Sequence, residues 1–251
     1  MTTHDGWALV TGAGSPIGIG FAIAAALGAQ GRSVAITSTT ERIHERVREL
    51  RALGVTATGF VADLMQPAAV QRLVADVGVV DVLVNNAGMA VLGVLDAPAP
   101  LEDMPIETWR RALDRNLTTA FLVTREVLPG MKARRWGRIV HVASTTGPIA
   151  GIAHDAGYAA AKAGLVGMMH SLCLEVAPFG ITVNSIAPGW IATGSQTESE
   201  SRAGRASPAG RSGTASEVAA AAAFLASPGA SYVNGHLLVV DGGNCVLENR
   251  S

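Results

Sequence analysis

Tyr158 and Lys162 stand four residues apart in the run Gly157-Tyr-Ala-Ala-Ala-Lys162, and Ser144 lies fourteen residues before the tyrosine. The Ala-rich context reads as helix, and that spacing puts both side chains on one helical face. An ammonium beside a phenol favours the phenolate, so the tyrosine pKa is expected to fall toward working pH. A tyrosine tuned in this way can give or take a proton at a carbonyl or alcohol oxygen. Ser144 ends an apolar run that starts at Arg138, and a hydroxyl at a strand end can hold the same oxygen. The three groups suit hydride transfer to or from a carbonyl carbon.

A second group of residues suits a dinucleotide. The stretch Thr11-Gly-Ala-Gly-Ser-Pro-Ile-Gly-Ile-Gly20 follows a first apolar run and precedes an Ala-rich one. Glycines let the backbone turn sharply near a diphosphate, and the next helix offers N-terminal N–H groups. Gly12, Gly14, Ser15, Gly18 and Ile19 are therefore cofactor candidates. The second strand ends in Ser38-Thr-Thr-Glu-Arg42. An acidic residue at Ser38 would grip a ribose 2′-hydroxyl and repel a 2′-phosphate. The hydroxyls of Ser38, Thr39 and Thr40, with Arg42, instead favour NADP(H) over NAD(H).

The elements that must carry these residues alternate along the chain. Residues 7–10, 33–37, 56–61, 82–84, 138–142, 182–186 and 236–240 read as seven strands. Residues 20–30, 41–53, 67–77, 106–131, 156–177 and 216–226 read as helices. Strict β-α alternation implies a doubly wound parallel α/β sheet of Rossmann type, covered by helices on both faces, with its cleft at the carboxyl ends of the strands. No boundary or repeat divides residues 1–251, so one domain is expected. Residues 193–217 hold no aromatic or large aliphatic residue and read as a mobile loop or lid. Residues 89–105 form another long connection.

These motifs, in this order, resemble the short-chain dehydrogenase/reductase family over nearly the whole chain. The carriers are Thr11, Gly12, Gly18 and Gly20, with two extra residues before Gly18; Ala62-Asp63-Leu64; Asn85-Asn-Ala-Gly88; Asn116; Ser144, Tyr158 and Lys162; Pro188-Gly-Trp-Ile-Ala-Thr193; and Val240-Asp-Gly-Gly243. The resemblance implies that Asn116, Ser144, Tyr158 and Lys162 are catalytic, with Asn116 ordering a water in a proton relay. It implies that Asp63 and Leu64 meet the adenine, that Asn86, Ala87 and Gly88 line the cofactor, and that Pro188, Gly189, Ile191 and Thr193 hold the carboxamide. Tyr158 and Lys162 also face the cofactor in that reading. Pro208-Ala-Gly-Arg-Ser-Gly-Thr-Ala-Ser-Glu-Val218 and Phe224-Leu-Ala-Ser-Pro228 bring the chain nearest to the 3-oxoacyl-[acyl-carrier-protein] reductase group, without establishing an acyl-carrier substrate. Family members usually place serine and tyrosine thirteen apart, so the extra residue reshapes the wall near 149–155. His154, Asp155 and Trp190, with Ser144, are weaker substrate candidates. Such proteins are often homotetramers, and the apolar faces of 106–131 and 156–177 are candidate interfaces. A halohydrin-dehalogenase-like chemistry and a non-catalytic cofactor sensor are the competing readings; Lys162 and the retained glycines oppose the first.

Composition narrows the classes further. Of 251 residues, 49% are hydrophobic and 16% charged, with a net charge of −1, which suits a large core and excludes a basic nucleic-acid stripe. Cys173 and Cys245 are the only cysteines and show no metal-ligand spacing, so no metal site and a reducing compartment are expected. From Gly6 to Gly31 there is no charge, but Thr11, Ser15, Pro16 and several glycines interrupt the stretch. Strand, turn and helix fit it better than a membrane span, and a cytoplasmic protein acting on a small carbonyl or alcohol is expected.

Overall fold

Val, Ile, Leu and Ala fill the short runs almost continuously, and these become the strands of one sheet. The computed structural model describes residues 6–88 and 98–248. Its strands are β1 (Trp7–Val10), β2 (Val34–Ser38), β3 (Ala57–Val61), β4 (Val80–Asn85), β5 (Gly137–Val142), β6 (Ile181–Pro188), a short pair β7 (Ile191–Ala192) and β8 (Gly213–Thr214), and β9 (Leu237–Val240). Seven form a parallel sheet in the order β3-β2-β1-β4-β5-β6-β9, and β7 pairs with β8 apart from it. The order reverses between β1 and β4, which makes that crevice the expected ligand position.

Helices cover both faces: α1 (Ile19–Ala29), α2 (Ile43–Ala52), α3 (Pro67–Val77), α4 (Ile106–Leu113), α5 (Thr119–Arg134), α6 (Ala156–Val176), α7 (Glu198–Arg205) and α8 (Ala215–Leu225). The alternation of strand residues sorts them into two cores. Ala8, Val10, Val140 and Val142 pack with Ile23, Leu27, Leu50 and Ala222 from α1, α2 and α8. Leu9, Leu83, Ile139 and Val183 pack with Leu73, Val127, Met131 and Met169 from α3, α5 and α6. Strands buried on both faces read as continuous apolar runs, which is why their positions were legible.

Two elements depart from expectation. The stretch 106–131 is not one helix. Between α4 and α5 lies a wider π-turn, Asp114–Thr118, and it carries Asn116. Such turns concentrate at functional sites. The segment 193–217 is not a plain loop either: it contains β7's partner β8 and helix α7. Thr197 caps α7, its hydroxyl accepting from Glu200 N at 3.2 Å, while Glu200 Oε2 accepts from Thr197 N at 2.7 Å. That reciprocal box supplies end bonds that an eight-residue helix with one buried residue needs. Of the connection at 89–105, residues 89–97 lie outside the described residues. Among the described residues no helix is long and apolar enough to cross a membrane.

Candidate active site

The crevice between β1 and β4 is built by one hydroxyl. Thr11 Oγ1 accepts from Asn86 N and Ala87 N, both at 3.0 Å, and donates to Val84 O at 3.3 Å. Asn86 Nδ2 returns bonds to Thr11 O at 2.9 Å and Gly12 O at 3.0 Å. The two strand ends are thus tied together, and little space is left at Gly12. Its φ is +70°, and a Cβ there would lie 2.7 Å from Ala87 Cα. A Cβ on Gly20 would lie 2.5 Å from Asn86 Nδ2, and one on Gly14 would lie 2.9 Å from Ser38 Cβ. Ser15 O accepts from Gly18 N at 3.2 Å, closing the loop before α1. Gly18 caps α1 without a side-chain bond, and no acidic residue occupies the first turn. The free N–H groups and the close-packed glycine loop fit a diphosphate.

At the end of β2, Ser38 Oγ donates to Thr40 O at 2.7 Å and accepts from Thr40 N at 3.2 Å. Arg42 Nε donates to Thr40 Oγ1 at 3.3 Å. Glu41 turns away, with Oε2 3.1 Å from His44 Nε2. Thr39, Thr40 and Arg42 are exposed, so hydroxyl donors and a guanidinium gather at the end of β2. Asp63 is exposed beside buried Leu64, and its carboxylate accepts from Met65 N at 3.0 Å.

The catalytic candidates converge on a pocket of about 220 Å³ at the carboxyl ends of β4, β5 and β6. Ser144, Tyr158 and Lys162 line it with Ile19, Asn86, Gly88, Pro188, Gly189, Trp190, Ile191 and Thr193. Tyr158 is hydrogen-bonded to Ser144, whose Oγ also accepts from Thr146 N at 3.1 Å. Lys162 Nζ donates to Val142 O at 2.9 Å and sits 5.5 Å from the Tyr158 ring centroid. Gly147 lets the loop after β5 reach α6, because a Cβ there (φ +101°) would strike Ala159 O. Gly157 and Gly164, which flank the Tyr158–Lys162 turn, seat α6 closely on Ala112 and Leu117. Glycine within a helix costs about 1 kcal/mol, so this approach is a specific feature of α6.

The expected fall in the Tyr158 pKa is overturned. Burial pushes the phenol up to about 12, and the Ser144 bond only partly opposes it. Lys162 is pushed down to about 8 by burial. Both groups lose solvation in the same place, so each is shifted toward its neutral form, although Lys162 remains mostly an ammonium at pH 7. Asn116 does not line the pocket. Its Nδ2 donates to Ala112 O at 3.0 Å, which satisfies a carbonyl released by the π-turn, and a Cβ on Gly88 would strike its Oδ1. His154 is exposed and outside the pocket lining; its φ of +69° absorbs a turn just before α6. The neighbouring Asp155, with Gln196 and Glu200, lines the pocket instead. His141, one residue before Val142, is fully buried; its Nδ1 lies 3.1 Å from Asn85 Nδ2, and burial with the Lys162 charge lowers it to about 4. Asp155, a weaker substrate candidate from the sequence, is thus placed at the pocket, and Glu200 was missed. The capping-box spacing Thr197-x-x-Glu200 could have placed it.

Comparison with known proteins agrees with this geometry. Residues 12–244 match the family model described as enoyl-(acyl carrier protein) reductase. The chain is 41% identical to a 3-oxoacyl-[acyl-carrier-protein] reductase of Escherichia coli, over 94% of this chain and 96% of that protein. It is 37% identical to a D-β-hydroxybutyrate dehydrogenase of Cupriavidus necator, with the same two coverages. A solved structure of a variant actinorhodin polyketide ketoreductase with NADPH superposes with a TM-score of 0.88 at 38% identity, covering 98% of this chain and all of that one. These named relatives are reductases and dehydrogenases, which leaves the dehalogenase and sensor readings without support. The chain therefore belongs to the short-chain dehydrogenase/reductase family and is an NAD(P)-dependent oxidoreductase.

Proposed function

We propose that the protein reduces a ketone to a secondary alcohol with NADPH. The observation that carries this reading is the Tyr158 hydroxyl, bonded to Ser144 over the pocket and held protonated by burial. A phenol near 12 arrives at the carbonyl oxygen with its proton in place, which suits the acid of a reduction better than the base of an oxidation. NADPH held in the crevice would supply the hydride that the carbonyl carbon accepts. Tyr158 gives its proton to the oxygen, and Ser144 holds that oxygen in line. Lys162 stabilises the phenolate that forms. Asn116 keeps the π-turn open behind the site and, through water, restores the proton. Gly12, Gly14, Ser15, Gly18 and Ile19 hold the diphosphate, and Ser38, Thr39, Thr40 and Arg42 hold the 2′-phosphate. Asp63 and Leu64 meet the adenine. Asn86, Ala87 and Gly88 would line the cofactor, and Pro188, Gly189, Ile191 and Thr193 would hold its carboxamide. NADPH in the ketoreductase structure supports this choice of cofactor.

The same reading keeps residues 1–251 as one domain with 193–217 as a lid, and a homotetramer in solution. Half-exposed Phe121 and largely exposed Leu174 mark the α5 and α6 faces as its interfaces. The test is a fluorescence titration with NADPH and NADH, followed by turnover of wild type and Tyr158→Phe. NADPH should bind more tightly, and the variant should bind it while losing about 10²–10⁴-fold in kcat. Retained turnover in Tyr158→Phe would remove the acid from the proposal.

A further inference from the structure

The substrate side of the pocket is acidic. Asp155 stands at the N-cap of α6, where an aspartate usually accepts from the helix N–H groups, yet it makes no such bond. Its carboxylate has no hydrogen-bond or ion-pair partner among the described residues and faces the pocket beside Tyr158. Across the opening, Glu200 on α7 spends Oε2 on its capping box, accepting from Thr197 N and Thr197 Oγ1, and also lines the pocket. Both carboxylates act on the Tyr158 hydroxyl electrostatically, which places their fields at the reacting oxygen. Lys162 is the one basic residue in the described lining, and its ammonium is fixed on Val142 O. The arginines of α7 turn to Glu198 instead, at 3.8 Å from Arg202 and 3.3 Å from Arg205.

We propose that Asp155 and Glu200 set the substrate class of this pocket: ketones with an amine or hydroxyl donor beside the carbonyl, with free oxo acids excluded. The inference rests on the pocket being the site of ketone reduction. Burial raises the Asp155 carboxyl to about 6, so above that pH a donor beside the carbonyl would meet an unpartnered carboxylate, whereas a substrate carboxylate would face two like charges in a partly desolvated space. The reaction balances as an ordinary reduction. Hydride reaches the carbonyl carbon, the carbon–oxygen π bond breaks, and the Tyr158 proton reaches the oxygen.

Three small methyl ketones test it with NADPH as donor: aminoacetone, hydroxyacetone and pyruvate. The expected order of kcat/KM is aminoacetone, then hydroxyacetone, then pyruvate, with steps on the order of tenfold. Asp155→Asn keeps the shape and removes the charge, and Glu200→Gln keeps the capping box. Each should lower the aminoacetone-to-pyruvate ratio by about tenfold, mainly through KM. Equal kcat/KM for the three ketones in wild type, or ratios unmoved in both variants, would overturn the charge argument and leave the reductase reading intact. Reduction of none of the three, or a Tyr158→Phe variant as active as wild type, would instead overturn the reading of the pocket on which the inference rests.

Discussion

Replacing Lys162 by methionine should stabilise the fold at neutral pH while removing activity. The lysine is 4% exposed, and its pKa falls from the ordinary value of 10.5 to about 8 through burial. A folded state with a lowered lysine pKa binds its proton less tightly than the unfolded chain. The cost is therefore present in full below about pH 8 and disappears as pH rises to 10.5. At about 1.4 kcal/mol per pH unit, it amounts to about 3 kcal/mol at pH 7. Methionine has a similar length and carries no charge, but it leaves Val142 O without the bond from Nζ, a loss of about 1 kcal/mol. Lys162→Met should thus be more stable than wild type by about 2 kcal/mol at pH 7 and less stable by about 1 kcal/mol near pH 10.5. Urea unfolding of both proteins across this range measures the difference, and other titrating groups cancel between them. A variant less stable than wild type at pH 7, or a difference that does not change with pH, would refute the reasoning. Stabilisation combined with lost turnover would identify a strained group kept for function.

Two changes probe the cofactor crevice. Ser38→Asp puts a carboxylate where the 2′-phosphate is expected and should weaken NADPH binding at least about tenfold while sparing NADH. Equal loss of both cofactors would reduce Ser38 to a packing role. Gly12→Ala places a Cβ 2.7 Å from Ala87 Cα on a backbone with φ +70°. The left-handed strain alone costs about 1–2 kcal/mol. Both cofactors should bind at least about tenfold more weakly, with the far-ultraviolet spectrum retained, and unchanged affinity would contradict the described loop.

The strands were legible because a central parallel strand must be apolar on both faces, and β1 and β5 are read within one residue of their ends. The β-α alternation then leaves little freedom in the sheet order. The π-turn at Asn116 was not legible, because inserting one wider turn leaves the apolar spacing of 106–131 helical in appearance. What betrays it is the side chain itself, since Asn116 Nδ2 has to bond the carbonyl of Ala112. Helix α7 was hidden for a different reason. Periodicity reports burial, and α7 buries only Gly204, so its signal lay in the cap at Thr197 and Glu200 rather than in a hydrophobic face.

The active-site partners were legible, but their electrostatics were not. The four-residue spacing of Tyr158 and Lys162 correctly puts them on one face of α6, and from that alone an ammonium should make the phenol more acidic. Spacing carries no information about depth. The close approach made possible by Gly147, Gly157 and Gly164 buries the pair, and at that depth the loss of water moves each group toward its neutral form. The same limit explains Asp155. Its place just before Tyr158 made it a substrate candidate, but nothing in the local sequence tells a capping carboxylate from one turned into a pocket. A motif thus specifies which atoms meet. Whether they meet as ions depends on how tightly distant elements close over them, so the protonation states of this site are a property of the whole fold.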